Sequence, residues 1–169
     1  RTALADCVAA GAAIAIAGFE PADPTGYGRL VPDEDGGINR IVEHKDATEK
    51  ERRIALCNGG IMAVRTPALF AWLSRITNDN AKGEYYLTDI VELAAADGQQ
   101  VRHVVIAEEE VMGVNDRLDL ARAEAALQSR LRIAAMESGV TMIAPETVFL
   151  SADAVIERDV IIEPHVVIG

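Results

Sequence analysis

The chain has 169 residues, 50% of them hydrophobic, which is enough to bury the core of one ordinary domain together with an appendage. Its 16 Lys and Arg residues against 27 Asp and Glu residues give a net charge of −11, which excludes the basic surface that nucleic acid requires. No apolar run approaches the roughly 20 residues of a membrane-spanning helix, and the first ten residues lack the pattern of a secretory signal. The composition therefore predicts a soluble, cytoplasmic protein that binds neither nucleic acid nor membrane.

The residue types that most often carry metal or nucleophilic chemistry are scattered along the chain. Cys7 and Cys57 form no Cys-x-x-Cys pair and are interpreted as buried free thiols. The histidines His44, His103 and His165 are interpreted as surface or strand residues. No side chain is assigned as catalytic on this basis.

Helix and strand patterns alternate over the first part of the chain. A helix at residues 3–10 is predicted to lead into a strand at residues 13–19. The turn residues at 35–37 separate two extended runs, residues 27–31 and 38–42. These two runs therefore predict a hairpin.

A helix is predicted to begin at Thr66-Pro67, because proline is tolerated in the first turn of a helix. Its apolar face is formed at helical spacing by Leu69, Phe70, Leu73 and Ile76. We expect Trp72 to pack at the edge of this face.

Two more helices follow. One begins near Thr88 or Asp89, where Asp89 and Glu92 have the separation of a capping box, and it precedes a strand at residues 101–106. The other is long and runs from residue 115 or 116 to residue 139. Because strands precede and follow these helices, the predicted fold class is α/β.

The last twenty residues have a period of six. Apolar side chains recur in a first register at Leu150, Ile156, Ile162 and Ile168, and in a second register at Ala154, Val160 and Val166. A hexapeptide repeat of this kind is typical of a β-helix, in which one apolar residue of each repeat points into a narrow prism. The alternative is one or two ordinary strands that have this spacing by chance.

Four segments and the repeat match one family in order and spacing. The segments are Tyr27-Gly28-Arg29-Leu30, residues 41–47, residues 80–89 and residues 113–117. In these the chain resembles, over nearly its whole length, the bacterial bifunctional N-acetylglucosamine-1-phosphate uridylyltransferase/glucosamine-1-phosphate acetyltransferases, the GlmU family. One departure is Asn58-Gly59-Gly60, where the family usually has Asn-Thr-Gly.

The resemblance implies a domain organisation. Residues 1–114 are expected to form the C-terminal part of a Rossmann-like nucleotide-diphospho-sugar transferase domain, and residues 115–139 a linking helix. Residues 140–169 are expected to begin a left-handed parallel β-helix, the acetyltransferase domain. The family's glycine-rich nucleotide loop has no counterpart here, so we expect a portion of a longer protein. The full-length protein is expected to be a homotrimer, whereas this chain holds too little of the β-helix for a tight trimer.

The implied activity is uridylyl transfer from UTP to N-acetylglucosamine 1-phosphate, which gives UDP-N-acetylglucosamine and pyrophosphate. In the full-length family member it is coupled to acetylation of glucosamine 1-phosphate by acetyl-CoA. This chain alone is expected to be inactive. Two alternatives remain open: another sugar-nucleotide pyrophosphorylase with a β-helix tail, and a non-catalytic sugar-nucleotide-binding or assembly module.

The resemblance assigns substrate binding to six residues: Gly28, Glu43, Asn58, Tyr86, Thr88 and Asn115. By sequence alone several have simpler interpretations, since Gly28 suits a turn and Asn58-Gly59 a hairpin. Glu43 also suits a solvated strand end, and Thr88 a helix cap. Lys45 is a further candidate that would face the phosphates.

Asn115 is also the expected ligand of Mg²⁺, the one cofactor that the resemblance implies. Its amide oxygen is a hard ligand of the kind that this ion prefers. In the family it shares the ion with an aspartate that has no counterpart in these residues. By sequence alone, Asn115 would be interpreted as the cap of the long helix.

Overall fold

The computed structural model describes residues 2–114 and 116–169, apart from the side chain of Thr2. The chain divides into two compact units, of which unit 1 ends at Val111 and unit 2 begins at Met112. No helix within the described residues is both long enough and apolar enough to cross a membrane. The predicted domain boundaries at residues 114 and 139 remain predictions.

The described part of unit 1 contains a five-stranded mixed sheet with helices packed against it. The strands are β1 (Ile14–Phe19), β2 (Arg29–Pro32), β3 (Ile38–Val42), β4 (Cys57–Val64) and β5 (Val101–Val105). The helices are α1 (Thr2–Ala9), α2 (Glu49–Arg52), α3 (Thr66–Leu73) and α4 (Ile90–Ala96). The strand order is β3-β2-β4-β1-β5. This arrangement confirms the α/β class and the predicted hairpin, since β2 and β3 are antiparallel neighbours.

Strand β1 lies inside the sheet, antiparallel to β4 and parallel to β5. All six of its residues are buried. Because side chains alternate between the two faces of a strand, Ile14 and Ile16 join the core beneath α3 and α4. The intervening Ala15 and Ala17 pack instead beside Leu4 of α1. Small residues on the α1 face let that helix approach the sheet closely.

The predicted position of Trp72 at the edge of α3 is wrong. Its side chain is 2% exposed and lies in the main core, where Nε1 donates to Asp97 Oδ2 at 2.9 Å. Phe70, which was expected to face inward, is 66% exposed. The indole can be buried because its N–H has a carboxylate partner, and the apolar face of α3 is rotated accordingly.

The predicted capping box at Asp89 and Glu92 is also wrong. A short 3₁₀ turn, Leu87–Asp89, precedes α4, and it gives Asp89 a helical backbone (φ −66°, ψ −19°). Asp89 makes no side-chain cap hydrogen bond, because a capping side chain needs an extended backbone at that position. A capping box forms instead at α2, between Thr48 and Glu51.

Unit 2 begins with a long helix, α5 (Arg117–Glu137). Asp116 is its N-cap, and the Asp116 carboxylate accepts the Asp119 N–H at 2.8 Å. Four strands of two residues each follow: β6 (Thr141–Met142), β7 (Phe149–Leu150), β8 (Ile161–Ile162) and β9 (Val167–Ile168).

The short strands pair in parallel, β6 with β8 and β7 with β9. Phe149 is therefore opposite Val167, three six-residue repeats further along the chain. The first register of the repeat is confirmed, because all four of its residues belong to one core cluster with Val140, Met142 and Val148. The second register is less regular, since Val160 is 39% exposed beside Asp159, whose φ of 67° turns the chain.

Gln128 connects α5 to β7 within unit 2. Its side chain is 5% exposed and pairs with the backbone of Leu150 in the manner of a neighbouring strand. Oε1 accepts the Leu150 N–H and Nε2 donates to the Leu150 carbonyl, both at 2.8 Å. The amide therefore satisfies two buried backbone groups at the same time.

We predict that Gln128→Ala lowers the free energy of unfolding of unit 2 by roughly 2–4 kcal/mol, because both Leu150 groups lose their partner while buried. Urea denaturation followed by circular dichroism measures this change. Gln99→Ala, the same substitution at an exposed position, should change stability by less than about 0.5 kcal/mol. Equal effects of the two variants would contradict the assigned role.

Candidate functional site

Unit 1 contains a cleft of about 340 Å³ between β3 and α4. Its lining is mostly polar and includes Arg40, Glu43, Asp46, Arg75, Tyr86 and Asp89. The two arginines are already paired with carboxylates, Arg40 with Glu51 and Arg75 with Asp97. The cleft therefore has an acidic character that its own arginines do not offset.

Gly28 immediately precedes β2, and Glu43 immediately follows β3. A Cβ atom at Gly28 would lie 3.4 Å from both Glu43 carboxylate oxygens and 3.3 Å from Ile41 Cγ2. The turn before β2 is made by Gly26, whose φ is 86°, whereas Gly28 is not among the residues with positive φ. Gly28 therefore does not serve a turn, and it lies close to both Ile41 and the Glu43 carboxylate.

Asn58 lies in β4, opposite Gly18 of β1, and not in a hairpin turn. Its backbone N–H donates to the Gly28 carbonyl at 2.8 Å. The register between β1 and β4 then shifts, and Asn58 Oδ1 accepts the Gly60 N–H at 3.1 Å where φ of Gly60 is 74°. Asn58-Gly59-Gly60 therefore marks a β-bulge, in which Gly60 supplies the positive φ that a turn would also need.

Thr88 and Tyr86 approach the site from the entrance to α4. The Thr88 hydroxyl donates to Glu43 Oε1 at 3.4 Å, a long bond, instead of capping the helix. The Tyr86 hydroxyl is buried and has no hydrogen-bond partner among the described residues. Burial, together with nearby carboxylates led by Asp46, raises the pKa of Tyr86.

The structure thus brings five of the predicted residues into one region. Asn58 contacts Gly28, Gly28 lies beside Glu43, and Glu43 contacts Thr88. Tyr86 lies two residues before Thr88 in the sequence. Lys45 is exposed on the turn after Glu43. Asn115 lies outside the described residues, and within those residues no group of three or more His, Cys, Asp or Glu side chains is placed to hold a metal ion. The roles of all these residues in binding remain predictions.

Sequence reasoning missed two acidic residues of this region. Asp89 has a raised pKa, because it is partly buried and because Glu92, Glu43 and Asp46 lie nearby. Asp46 accepts the Ala81 N–H through Oδ1 at 2.8 Å. Both aspartates lie inside segments that match the family, but a contact between residues 35 positions apart gives no periodic signal in the sequence.

The departure at Gly59 has a steric basis. A Cβ atom there would lie 2.9 Å from the carbonyl oxygen of Ala17 and 3.0 Å from Val111 Cγ1. The threonine that the family usually has would introduce the same Cβ, so β1 and β4 of this chain must separate before they accommodate it. Gly59 and Val111 therefore pack as a complementary pair within unit 1.

We predict that Gly59→Ala destabilises unit 1 by about 1–3 kcal/mol, because the added methyl meets backbone. Gly18→Ala is the matched comparison, since its methyl would meet Leu56 Cδ1 at 2.9 Å and Leu30 Cδ1 at 3.0 Å, which are the ends of flexible side chains. Thermal unfolding should rank Gly59→Ala as the less stable variant. The reverse order would contradict the steric argument.

The chain thus combines a mixed α/β unit, which has an acidic cleft beside its sheet, with a second unit that has hexapeptide periodicity. No family model matches the chain. It is 57% identical over 159 residues to the bifunctional protein GlmU of Gluconobacter oxydans, covering 94% of this chain and 35% of that protein. It is 59% identical to GlmU of Xanthobacter autotrophicus (95% and 36%) and 56% identical to GlmU of Azorhizobium caulinodans (100% and 37%).

The chain belongs to the GlmU family, as its sequence predicts. It spans about a third of the length of the curated relatives it matches.

Proposed function

We propose that unit 1 is the sugar-binding part of a uridylyltransferase that makes UDP-N-acetylglucosamine and pyrophosphate from UTP and N-acetylglucosamine 1-phosphate. The observation that carries this proposal is the contact chain through Asn58, Gly28, Glu43 and Thr88. These residues are distant in sequence, and the resemblance to the family assigns substrate binding to each of them. Their convergence supports a shared ligand.

The chemistry of the region suits a sugar. Sugar hydroxyls are hydrogen-bond donors, and the Glu43 carboxylate can accept them on both of its oxygens. The Tyr86 hydroxyl, which has no partner within the described residues, offers a donor or acceptor. Asn58 Oδ1 already accepts the Gly60 N–H, so Asn58 would bind the sugar by donating a hydrogen bond from its amide nitrogen.

The same region does not suit phosphate. Glu43, Asp46 and Asp89 repel a phosphate group, and the arginines of the cleft are paired with other carboxylates. We therefore place the sugar ring beside Glu43 and the phosphates away from the cleft, where cations outside these residues neutralise them. This division of charge distinguishes a sugar site from a nucleotide-phosphate site.

In uridylyl transfer, an oxygen of the sugar phosphate attacks the α-phosphorus of UTP and pyrophosphate leaves. Catalysis of such a step consists mostly of positioning and charge neutralisation. The residues of unit 1 would hold and orient the sugar, so that its phosphate is aimed at the nucleotide. This accounts for the lack of an assigned catalytic acid or base.

Magnesium would neutralise phosphate charge in this reaction when bound. Within the described residues no group of three or more His, Cys, Asp or Glu side chains is placed to hold a metal ion. We propose Asn115 as one ligand, with the rest of the coordination supplied from outside these residues. Asp116 supplies the cap of α5, so that helix does not depend on Asn115 for its cap.

For unit 2 we propose the first coil of a left-handed parallel β-helix. The parallel pairs β6–β8 and β7–β9 and the six-residue core period support it. In the full-length protein this domain would transfer acetyl from acetyl-CoA to glucosamine 1-phosphate and mediate a homotrimer. Prisms packed side by side in a trimer would bury outward faces that a single prism leaves exposed. Phe149 and Val167, which alternate with the core residues Leu150 and Ile168, are 47% and 75% exposed.

Glu43→Ala in the full-length protein is predicted to raise KM for N-acetylglucosamine 1-phosphate by roughly 5- to 100-fold, because a sugar hydroxyl loses a charged acceptor. KM for UTP should stay within about twofold of the parent value. Steady-state assays of pyrophosphate release measure both constants. Glu34→Ala, at the exposed tip of the β2–β3 hairpin, is the charge-matched control. An unchanged sugar KM would return Glu43 to the solvated-strand interpretation.

Asn115→Ser in the full-length protein is predicted to need more Mg²⁺ for half-maximal uridylyl transfer and to turn over more slowly, because serine reaches less far toward an ion. Asn115→Asp should keep a metal-binding oxygen and behave more like the parent. Acetyl transfer by the other domain is the internal control and should not change. A parental Mg²⁺ titration for the serine variant would exclude Asn115 as a ligand.

A further inference from the structure

The segment between α3 and α4, residues 78–86, is joined to the turn after β3 by a hydrogen bond to the Asp46 side chain. Asp46 Oδ1 accepts the Ala81 N–H at 2.8 Å, although 35 residues separate the two in sequence. A carboxylate that accepts a backbone N–H makes a charge-assisted bond, which is stronger than a neutral one. We call residues 78–86 the entrance loop, because it leads into the 3₁₀ turn and α4.

The entrance loop is ordered from within by Asn80. Asn80 Oδ1 accepts the backbone N–H groups of Lys82 at 3.1 Å and of Glu84 at 3.2 Å, and Asn80 Nδ2 donates to the Glu84 carbonyl. Gly83 completes the turn with φ of 66°. Hydrogen bonds from the Asn80 side chain therefore connect residues 80–84 to one another, so an attachment at Ala81 constrains them together.

Asp46 is itself fixed to the predicted sugar site. The Glu43 carbonyl accepts the N–H groups of Asp46 and of Ala47, each at 3.0 Å, so the turn that carries Asp46 starts at Glu43. The C-terminal end of the entrance loop carries Tyr86, and Thr88 follows it in the 3₁₀ turn. The direct contact between Thr88 and Glu43 is long, at 3.4 Å, and holds the loop less firmly than the 2.8 Å bond at Ala81.

We propose that Asp46 is a positioning residue that holds the entrance loop against the turn after β3, so that Tyr86 and Thr88 face the sugar bound beside Glu43. The Asp46 carboxylate acts through the loop backbone and does not contact the sugar. This inference rests on the proposed function of the site, and it adds a residue to which the family resemblance assigns no role.

Asp46→Ala removes the attachment and is expected to raise KM for N-acetylglucosamine 1-phosphate by about five- to tenfold in the full-length protein, with KM for UTP within about twofold. Asp46→Asn keeps an oxygen that accepts the Ala81 N–H, so it should restore most of the parental sugar KM. A purely electrostatic effect of Asp46 on the site would make the two variants equally poor, which would overturn the proposal. Asp35→Ala, an exposed aspartate of the β2–β3 hairpin, controls for the lost charge.

Limited trypsin digestion gives a readout that does not depend on activity. Lys82 is exposed in the middle of the entrance loop, so cleavage after it reports release of the loop. Mass spectrometry should detect this cleavage several-fold faster in Asp46→Ala than in the parent, in Asp46→Asn or in Asp35→Ala. Unchanged cleavage in Asp46→Ala would mean that the bond does not hold the loop.

The two readouts separate failure of this proposal from failure of the proposed function. Faster cleavage together with a raised sugar KM supports the positioning role. Faster cleavage with an unchanged sugar KM, in a protein where Glu43→Ala still impairs sugar use, overturns the positioning role alone. If neither Glu43→Ala nor Asp46→Ala alters sugar use, the sugar site itself is misassigned and the proposal fails with it.

Discussion

The burial of strand β1 on both faces is the constraint on which the rest of unit 1 depends. Ile14 and Ile16 face the core beneath α3 and α4, and Ala15 and Ala17 face α1. A strand covered on both sides fixes its neighbours in register, since a slip by one residue would exchange the two sets of side chains. The register with β4 then places Asn58 opposite Gly18 and, through its backbone N–H, beside Gly28. The site is therefore a consequence of how the sheet is packed.

Two glycines give the site its shape, each for a different reason. Gly28 lies beside the Glu43 carboxylate, and a Cβ atom there would meet Ile41 Cγ2 at 3.3 Å. Gly59 admits Val111 and the Ala17 carbonyl at a bulge of β4. At Gly59 the backbone of β1 occupies the space that a side chain would take, whereas at Gly28 the neighbours are side chains at 3.3–3.4 Å. Substitution at either position therefore affects the packing between strands and not only the conformation of one residue.

The acidic charge of the cleft determines which part of a substrate it can bind. The acidic residues Glu43, Asp46 and Asp89 surround the cleft, and the net charge of −11 shows the same excess over the whole chain. An acidic cleft can recognise neutral hydroxyls, but it needs cations from elsewhere for phosphates. Unit 2 is stabilised by the apolar core of its six-residue repeat and by the Gln128 amide. That amide pairs with the Leu150 backbone of β7 as a neighbouring strand would.

The sequence by itself determined the family and many of the elements, but it did not predict β4 or α2. Hydrophobic periodicity located β1, the β2–β3 hairpin, α5 and the first register of the repeat, because these follow from local pattern and burial. It did not determine the partners of polar side chains, which depend on contacts between distant residues. Trp72 is buried because Asp97 accepts its N–H, and Asp89 does not cap α4 because a 3₁₀ turn precedes that helix. Asn58-Gly59 forms a bulge rather than a hairpin because β1 lies alongside it, and Asp46 reaches Ala81 across 35 residues. Only the tertiary structure decides which of these contacts form. A turn, a bulge and a long-range hydrogen bond use the same few residue types and differ in which residues lie next to them.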